Sequence, residues 1–458
     1  MILVYYTVLR WSRTSQNIFL LAASLFFYAW GEPRFVLVMM MSIIINWAAG
    51  VFISSFEARG SEAGRKAALV TAIVFNLIII FIFKYLVFTV TNIDAIFGAG
   101  LTVPEIALPI GISFFTFQAI SYVVDVYRGK AGAQKNILYV GLYISFFPQL
   151  IAGPIVRYET VADQIMNRRE TLDDFCDGVR RFIIGFCKKI IIANNVAIVA
   201  DRAFELSSQG QLSVCMAWLG AIAYTLQIFY DFSGYSDMAI GLGRMFGFHF
   251  LENFDYPYIS RSATEFWRRW HMSLGTWFRD YLYIPLGGSR VKTSARHIFN
   301  LFVVWLCTGI WHGANWTFIL WGLMYFVLLV FEKYTGFNKL GGRGADHLKR
   351  VYVLFFIVMG WILFRADDLH SAAGYYRACF GAGAGAVDDA FIEYIRQYAF
   401  YIGAGMLFST PVARWVKDKV KPNFFTDIVY AACLGALFIA SISFLVKGSY
   451  NPFIYFNF

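Results

Sequence analysis

Two histidines in different surroundings are the residues of this chain best suited to proton-transfer chemistry. His271 ends the motif Phe-Trp-Arg-Arg-Trp-His (266–271), which is rich in arginine, and His312 lies in Thr-Gly-Ile-Trp-His-Gly (308–313) at the end of an apolar run. A neutral histidine can be buried and still accept a proton from a hydroxyl or thiol group. An ionisable group inside an apolar segment is by default a candidate functional group. The pair predicts a site that joins an aqueous face to a membrane interior.

The neighbours of His312 narrow the chemistry that it can carry. At helical spacing Thr308 lies on the same face as His312, whereas Cys307 is rotated away by about 140°. A nucleophilic pair of Cys307 and His312 is therefore disfavoured. Gly309 and Gly313 flank the histidine and would let a ligand or another helix approach closely. The alternative interpretation, a structural histidine bonded to a neighbouring carbonyl group, stays open at this level.

The surroundings of His271 also allow two interpretations. Aromatic and cationic residues alternate over 265–281 as they do on an amphipathic helix at a membrane surface, with Trp267, Trp270, Trp277 and Phe278 in the headgroup layer. The functional interpretation is a basic, aromatic entrance for an anionic donor such as a coenzyme A thioester. Its candidate residues are Arg268, Arg269 and Trp270.

A third polar cluster, Tyr-Asp-Phe-Ser-Gly-Tyr-Ser-Asp (230–237), places Asp231 and Asp237 between two apolar runs. Carboxylates in such a position need a cationic partner, and Arg244 is a plausible one. The two aspartates are interpreted first as structural ties and second as groups that shape a site. The candidates for shaping the site are Trp311, Thr308, Asn315 and Asp231.

Composition identifies the class of protein that must position these residues. The 458-residue chain is 59% hydrophobic and 15% charged, with a mean hydropathy of +0.58. Because a membrane span needs about 20 apolar residues, we expect an all-α polytopic membrane protein with about ten to twelve crossings. The clear candidate spans are 17–30, 35–56, 67–90, 136–152, 212–230, 298–311, 314–331, 351–364, 397–410 and 427–446. Weaker or interrupted candidates are 106–124, 182–200 and 234–250.

Charge and cysteine content exclude other classes of function. The net charge of +10 comes from loops, which indicates orientation in a membrane and not nucleic-acid binding. The most basic loop, 251–297, has seven Lys/Arg and four Asp/Glu residues, and we expect it to form a cytoplasmic-side interfacial region. The six cysteines lack metal-ligand spacing, so no metal site is predicted. No segment is long and polar enough for a soluble domain, so we expect one membrane domain over 1–458.

Proline and glycine predict broken helices. Pro148 and Pro154 bracket 149–153, and Pro109 and Gly111 interrupt another apolar run. Irregular backbone at membrane depth is tolerated only where it lines a cavity or is buried in protein. We therefore expect an internal chamber.

Several of these motifs, spread over nearly the whole chain, resemble the membrane-bound O-acyltransferase (MBOAT) superfamily, and within it the bacterial alginate and peptidoglycan O-acetyltransferase membrane subunits. They are Phe-Tyr-Ala-Trp-Gly-Glu-Pro (27–33), Leu-Ile-Ala-Gly-Pro-Ile-Val-Arg-Tyr (150–158), Tyr-Asp-Phe-Ser-Gly-Tyr-Ser-Asp-Met-Ala-Ile-Gly-Leu-Gly (230–243), Glu-Asn-Phe-Asp-Tyr-Pro-Tyr (252–258), the stretch 265–290, Trp-His-Gly-Ala (311–314) and Pro-Phe-Ile-Tyr-Phe-Asn-Phe (452–458).

The resemblance implies a fold, a reaction and partners. It implies a ring of helices, with re-entrant and interfacial helices, around a central funnel in the bacterial inner membrane. His312 matches the essential histidine of the family, and His271 matches a second, more polar position. The implied donor substrate is acetyl-CoA, with no bound cofactor. The implied acceptor is an extracytoplasmic polysaccharide, modified through a periplasmic SGNH or esterase-like partner.

Two departures and two alternatives accompany the resemblance. Relatives carry a further apolar stretch before 27–33, whereas only residues 1–9 stand before the first apolar run here, which leaves the helix count in doubt by one. Relatives that transfer D-alanine generally lack Tyr-Ile-Pro-Leu-Gly-Gly (283–288), so its presence favours acetyl transfer.

A D-alanyl transferase fed by a carrier-protein thioester is one alternative. A transporter or flippase with His271 and His312 as proton-relay groups is the other.

Overall fold

The computed structural model describes residues 1–102, 105–421, 423–448, 450 and 452, and within them the secondary structure is helical with no strand. The α-helices are α1 Ile2–Thr7, α2 Arg13–Gly31, α3 Val36–Ala58, α4 Glu62–Ile80, α5 Leu86–Phe97, α6 Ile112–Tyr127, α7 Ile137–Ser145, α8 Tyr158–Val161, α9 Gln164–Asn167, α10 Leu172–Cys187, α11 Asn194–Ser208, α12 Val214–Met245, α13 Ala263–Arg269, α14 Met272–Phe278, α15 Ser294–His312, α16 Trp316–Tyr334, α17 Arg343–Arg365, α18 Leu369–Cys379, α19 Asp389–Phe408, α20 Val412–Lys419 and α21 Phe424–Lys447. Three π-helical segments (Phe81–Tyr85, Lys188–Ala193 and Arg279–Tyr283) and two 3₁₀ turns (Pro257–Ile259 and Phe337–Lys339) complete them.

The helices form two compact units. The first comprises Met1–Val179 and Ala239–Leu251, and the second comprises Arg180–Met238 and Glu252–Phe458. Both histidines lie in the second unit.

Membrane-spanning capacity is present in both units. Seven helical stretches of the described residues are long and apolar enough to cross a membrane: Val36–Ala58, Glu62–Phe97, Leu172–Ser208, Val214–Met245, Trp316–Tyr334, Arg343–Arg365 and Phe424–Lys447. The chain is a multi-pass membrane protein with an all-helical fold, as expected from its composition. The total of ten to twelve crossings stays a prediction.

The prediction of separate segments at 212–230 and 234–250 is wrong, because α12 runs unbroken from Val214 to Met245. Its central aspartates are neutralised without interrupting the helix. Asp231 pairs with Lys189 at 2.6 Å, and Asp237 pairs with Lys188 at 2.6 Å. Since the carboxylates find cations on a packed neighbour, the backbone does not have to leave the helix to solvate them.

The predicted partner of these aspartates is also wrong. Arg244 contacts Asp177 at 3.5 Å. Asp237 receives its arginine from α10, since Arg181 Nη2 lies 2.9 Å from its carboxylate. Arg181 and Asp237 are 56 residues apart, so the pattern over 230–244 carries no sign of the pair.

The predicted helix interruptions are confirmed. Gly111 adopts a left-handed conformation (φ 75°) immediately before α6, where a Cβ atom would come within 2.8 Å of the Leu150 carbonyl oxygen. The helix α7 ends at Ser145, and residues 146–157 are irregular although largely buried. Buried irregular backbone of this kind must be satisfied by protein groups, as when Gln149 donates to the Tyr143 carbonyl at 2.8 Å.

The α15–α16 hairpin positions His312 through glycine-mediated packing. A Cβ atom on Gly309 would lie 2.5 Å from the Phe318 carbonyl oxygen, and one on Gly322 would lie 2.5 Å from the Trp305 carbonyl oxygen. The two helices therefore touch backbone to backbone, as small residues permit in membrane proteins. The turn between them ends at Asn315, whose side chain accepts the Thr317 N–H and caps α16.

We expect Gly309→Ala to destabilise the protein, because the added methyl group would force the two helices apart. Overpacking of this kind costs about 1–3 kcal/mol. Thermal unfolding in detergent, followed by intrinsic fluorescence, measures the change. Gly435→Ala on α21 is the matched control, since nothing lies within 4 Å of its added methyl group. Equal melting temperatures for the two variants would contradict the packing argument.

We expect Lys189→Met to lower the free energy of unfolding by about 3–5 kcal/mol, because it leaves the Asp231 carboxylate buried without its cation. The double variant Lys189→Met/Asp231→Leu should recover most of this loss, since it removes both charges. Chemical denaturation in detergent tests both.

The exposed pair of Arg202 and Glu205 provides the comparison for that experiment. Arg202→Met should cost less than about 1 kcal/mol because water screens the pair. If Lys189→Met/Asp231→Leu were less stable than Lys189→Met alone, the prediction would be contradicted, because the remaining buried carboxylate would then stabilise the fold.

Candidate active site

The segment expected to form one interfacial helix over 265–281 is broken at its centre. Helix α13 ends at Arg269 and α14 begins at Met272, with Trp270 extended and His271 in the left-handed region (φ 45°, ψ 50°). A non-glycine residue with positive φ is strained and persists only where its surroundings hold it. The break turns the histidine side chain into the protein.

The placement of the aromatic residues in a headgroup layer is wrong for three of the four named. Trp270, Trp277 and Phe278 are 3%, 6% and 5% exposed, so they lie inside the protein. Trp270 packs on Phe266 and Trp361 with ring centroids 5.5 and 4.9 Å apart. The broken helix explains the error, since a continuous amphipathic surface helix does not exist here.

Asn253 holds the broken segment in place. Its carbonyl oxygen accepts the Met272 N–H at 3.0 Å, and its side-chain Oδ1 accepts the Ser273 N–H at 3.2 Å. These are the amides at the start of α14 that have no partner within the helix. The Asn253 Nδ2 group donates to Ser236 Oγ on α12 at 2.9 Å. One residue thus joins α12 to the start of α14.

His271 is buried, with one ring nitrogen occupied. Its side chain is 2% exposed, and its ring meets Phe232 edge to face at 4.5 Å. Nδ1 lies 3.2 Å from Asn253 Oδ1, whereas Nε2 has no hydrogen-bond partner in the part of the chain that is described. Burial lowers the pKa of His271 to about 3. The ring is therefore neutral at physiological pH.

His312 ends α15 and is enclosed by aromatic rings. It is 7% exposed, and its ring lies 4.9 Å from that of Trp321 and 5.1 Å from that of Phe364, both nearly perpendicular. The glycine contacts between α15 and α16 bring Trp321 under the histidine. An aromatic enclosure of this kind excludes water and strengthens electrostatic interactions inside it.

Trp311 connects the two histidines. Its ring centroid lies 5.0 Å from that of His312 and 6.2 Å from that of His271. Residues far apart in sequence thus share one aromatic neighbour within the second unit. Two buried imidazoles beside one indole can bind a polar group and move a proton in a nearly dry environment.

The arginines of the predicted entrance differ in availability. Arg269 is committed, with Nε 3.1 Å from Glu265 and Nη1 3.1 Å from Asp255. Arg268 is exposed. Within this pair Arg268 is the more exposed residue, and a phosphate could reach it from solvent.

The remaining predicted residues have defined places. Thr308 is buried one turn before His312 and donates to the Val304 carbonyl at 2.7 Å. Asn315 caps α16 and donates to the Asp367 carbonyl at 2.6 Å. None of these contacts includes a histidine. The Thr308 bond lies within α15, whereas the Asp231–Lys189 pair and the Asn315 bond join separate segments.

Sequence reasoning missed Asn253, Trp321 and Phe364 as neighbours of the histidines. Asn253 belongs to the motif Glu-Asn-Phe-Asp-Tyr-Pro-Tyr (252–258) and is the only residue in it with an amide side chain. That amide, which can both donate and accept, was a signal for a polar contact. The two aromatic residues belong to apolar helices α16 and α17, where nothing in their local sequence marks them. In the described residues no group of three or more His, Cys, Asp or Glu is placed to hold a metal ion.

Comparison with known proteins relates this geometry to a family. The family model of the membrane-bound O-acyltransferases matches residues 131–339. The chain is 40% identical to a probable alginate O-acetylase of Pseudomonas putida, over 97% of this chain and 94% of that protein. It is 45% identical to a probable alginate O-acetylase of Pseudomonas aeruginosa, over 80% and 70%. It is 34% identical to a peptidoglycan O-acetyltransferase of Helicobacter pylori, over 78% and 72%.

The resemblance inferred from the sequence motifs is thereby confirmed. The matches extend over most of both chains, and the residues matched by the family model include His271 and His312. The chain belongs to the membrane-bound O-acyltransferase family and is an acyltransferase.

Proposed function

We propose that the chain is the membrane subunit of an O-acetyltransferase. It takes an acetyl group from a cytoplasmic thioester, acetyl-CoA, and passes it across the bacterial inner membrane to an extracytoplasmic polysaccharide. One observation carries the proposal: the buried rings of His312 and His271 both contact Trp311, which offers a nearly dry site with two imidazoles. The activities for which the relatives are named, alginate O-acetylase and peptidoglycan O-acetyltransferase, support acetyl transfer to a polysaccharide.

In the proposed reaction His312 is the general base. One of its ring nitrogens takes the proton of an acceptor hydroxyl as the oxygen attacks the thioester carbonyl carbon. The carbon–sulfur bond breaks, the thiolate leaves, and the proton passes from the imidazolium to the thiolate sulfur. The products are the acetyl ester and free coenzyme A, and His312 returns to its neutral form.

The acceptor hydroxyl belongs to a periplasmic esterase-like partner or to the polymer itself. The candidate polymers are alginate, peptidoglycan and other exopolysaccharides. A direct transfer to the acceptor and a relay through an acyl-histidine use the same residue as the first proton acceptor or nucleophile. Rapid quenching with labelled acetyl-CoA separates the two routes, since only the relay leaves label on His312 of this chain.

Membership in an acyltransferase family favours an enzyme over the transporter alternative. A transporter would move substrate without consuming thioester, so release of free coenzyme A separates the two. The D-alanyl alternative uses a carrier-protein thioester. Parallel assays with labelled acetyl-CoA and with a D-alanyl carrier protein identify the donor, and Tyr-Ile-Pro-Leu-Gly-Gly (283–288) favours acetyl-CoA.

We expect His312→Ala and His312→Gln to lower acetyl transfer by at least about 10²-fold, the lower end of what a general base supplies. The assay measures coenzyme A release and polymer acetylation by purified protein with its acceptor partner. A monodisperse elution profile in detergent checks that the variants are folded.

His297→Ala is the matched control for the His312 variants. His297 lies on the same helix and is buried, but both its nitrogens are occupied, by Tyr283 at 3.0 Å and Tyr334 at 2.8 Å. Its replacement should lower stability and leave kcat within about twofold, since it removes no group that we assign to the general-base step. Full polymer acetylation by His312→Ala would refute the assigned role.

We expect Arg268→Gln to raise KM for acetyl-CoA about two- to fivefold with little change in kcat, because an exposed charge contributes up to about 1 kcal/mol to binding. The effect should shrink as ionic strength rises. Arg290→Gln, an exposed arginine of the same loop, controls for net charge. Identical KM values for the two variants would place the phosphates elsewhere.

A further inference from the structure

We propose that Asn253 is a positioning residue that fixes the neutral tautomer of His271 and leaves Nε2 as a hydrogen-bond acceptor for substrate. The part of this inference that concerns substrate rests on the proposed function. The tautomer itself follows from contacts within the second unit and can be observed without any assay of transfer.

The orientation of the Asn253 amide is determined by a backbone group. A main-chain N–H is always a donor, and the Ser273 N–H points to the Asn253 side chain at 3.2 Å, so the atom facing it is the oxygen. The amide nitrogen then faces Ser236 Oγ at 2.9 Å, which can accept. The reverse orientation would set an NH₂ group against the Ser273 N–H.

The oriented amide determines the tautomer of the histidine. Asn253 Oδ1 lies 3.2 Å from His271 Nδ1 and offers only lone pairs, so Nδ1 must carry the hydrogen. Ser273 Oγ, which donates to the same oxygen at 2.9 Å, lies 3.5 Å from Nδ1 and can share that hydrogen as a second acceptor. A neutral imidazole carries one N–H, so Nε2 holds a lone pair.

The ring cannot easily turn away from this arrangement. Phe232 packs edge to face against it at 4.5 Å, and burial keeps it neutral. The backbone at His271 is held in its strained left-handed conformation while Asn253 accepts the next two N–H groups along the chain. Strain that is retained and clamped at a buried polar residue is typical of functional positions.

The fixed tautomer assigns a role to His271. Its Nε2 atom is buried and has no partner in the described part of the chain, so it is available to a substrate hydroxyl or amide N–H. In the resting state it cannot donate a proton to a leaving thiolate. His271 therefore orients a donor group of the substrate, while His312 accepts the proton.

Solid-state NMR of protein labelled with ¹⁵N and ¹³C in histidine reads the tautomer directly. The His271 resonances are assigned by their loss in His271→Gln. We expect a pyridine-type nitrogen bonded to Cδ2, which is Nε2, and a protonated Nδ1. Asn253→Asp should keep this tautomer because a carboxylate also accepts, whereas Asn253→Ala should yield a mixture.

The kcat of each variant should change in the same order as its His271 tautomer. Asn253→Ala should lower kcat by about 10- to 10²-fold, up to the lower end of a general-base contribution, and Asn253→Asp should restore most of it. Ser236→Ala is the matched control, since it removes the bond to Asn253 Nδ2 and leaves Oδ1 in place. It should keep both the tautomer and kcat.

Two results would overturn the inference. One is a protonated Nε2 in the unsubstituted protein, and the other is an unchanged tautomer in folded Asn253→Ala. If the spectra show the expected tautomers but the unsubstituted protein releases no coenzyme A, the positioning by Asn253 stands and the proposed function fails. If the spectra show other tautomers while the unsubstituted protein transfers acetyl groups, the proposed function stands and the positioning by Asn253 fails.

Discussion

The backbone contact between α15 and α16 is the constraint on which the site depends. Gly309 and Gly322 allow each helix to lie against a carbonyl oxygen of the other. At that separation Trp321 reaches the ring of His312, and the short turn through Asn315 keeps the histidine at the helix end. In lipid, where no hydrophobic force drives two apolar helices together, close packing of small residues supplies the attraction. The catalytic candidate is thus placed by residues that cannot themselves react.

A second constraint is the free-energy cost of a charge in an apolar interior. It distinguishes structural from reactive groups in the second unit. Buried charges there have polar partners, because an isolated ion would cost several kcal/mol to desolvate. Lys189 pairs with Asp231, and Glu332 accepts the Ala263 and Thr264 N–H groups. His271 avoids that cost because its burial keeps the ring neutral. A buried imidazole can accept a proton without carrying a permanent charge, so the two histidines remain the candidates for proton transfer. Lys189, on the π-helical segment Lys188–Ala193, pairs with Asp231 on α12.

The two histidines take unequal parts in this arrangement. His312 is enclosed by the rings of α15, α16 and α17, and His271 is held through Asn253 by polar contacts to α12 and α14. Trp311 is their shared neighbour. An acyl transfer needs a base for the attacking hydroxyl and a fixed position for the group that carries it. The enclosed base and the clamped acceptor fit these two needs within one unit.

The sequence by itself determined the class and the family, and it indicated the two histidines as candidates for the site. These follow from composition, from motif content and from the rarity of ionisable groups in apolar segments, all of which are local properties. The breaks before α6 and after α7 were also predictable, because proline and glycine act on their own backbone.

Only the tertiary structure decided the partners. Arg244 was a wrong choice for the central aspartates, because lysines and an arginine far away in sequence reach them across packed helices. The prediction of one interfacial helix over 265–281 was wrong, because a new helix starts at Met272. Asn253 accepts hydrogen bonds from the first N–H groups of that helix. Trp321 and Phe364 became neighbours of His312 through packing alone. Contacts between distant residues depend on how helix faces fit together, and a pattern along one segment carries no record of that fit.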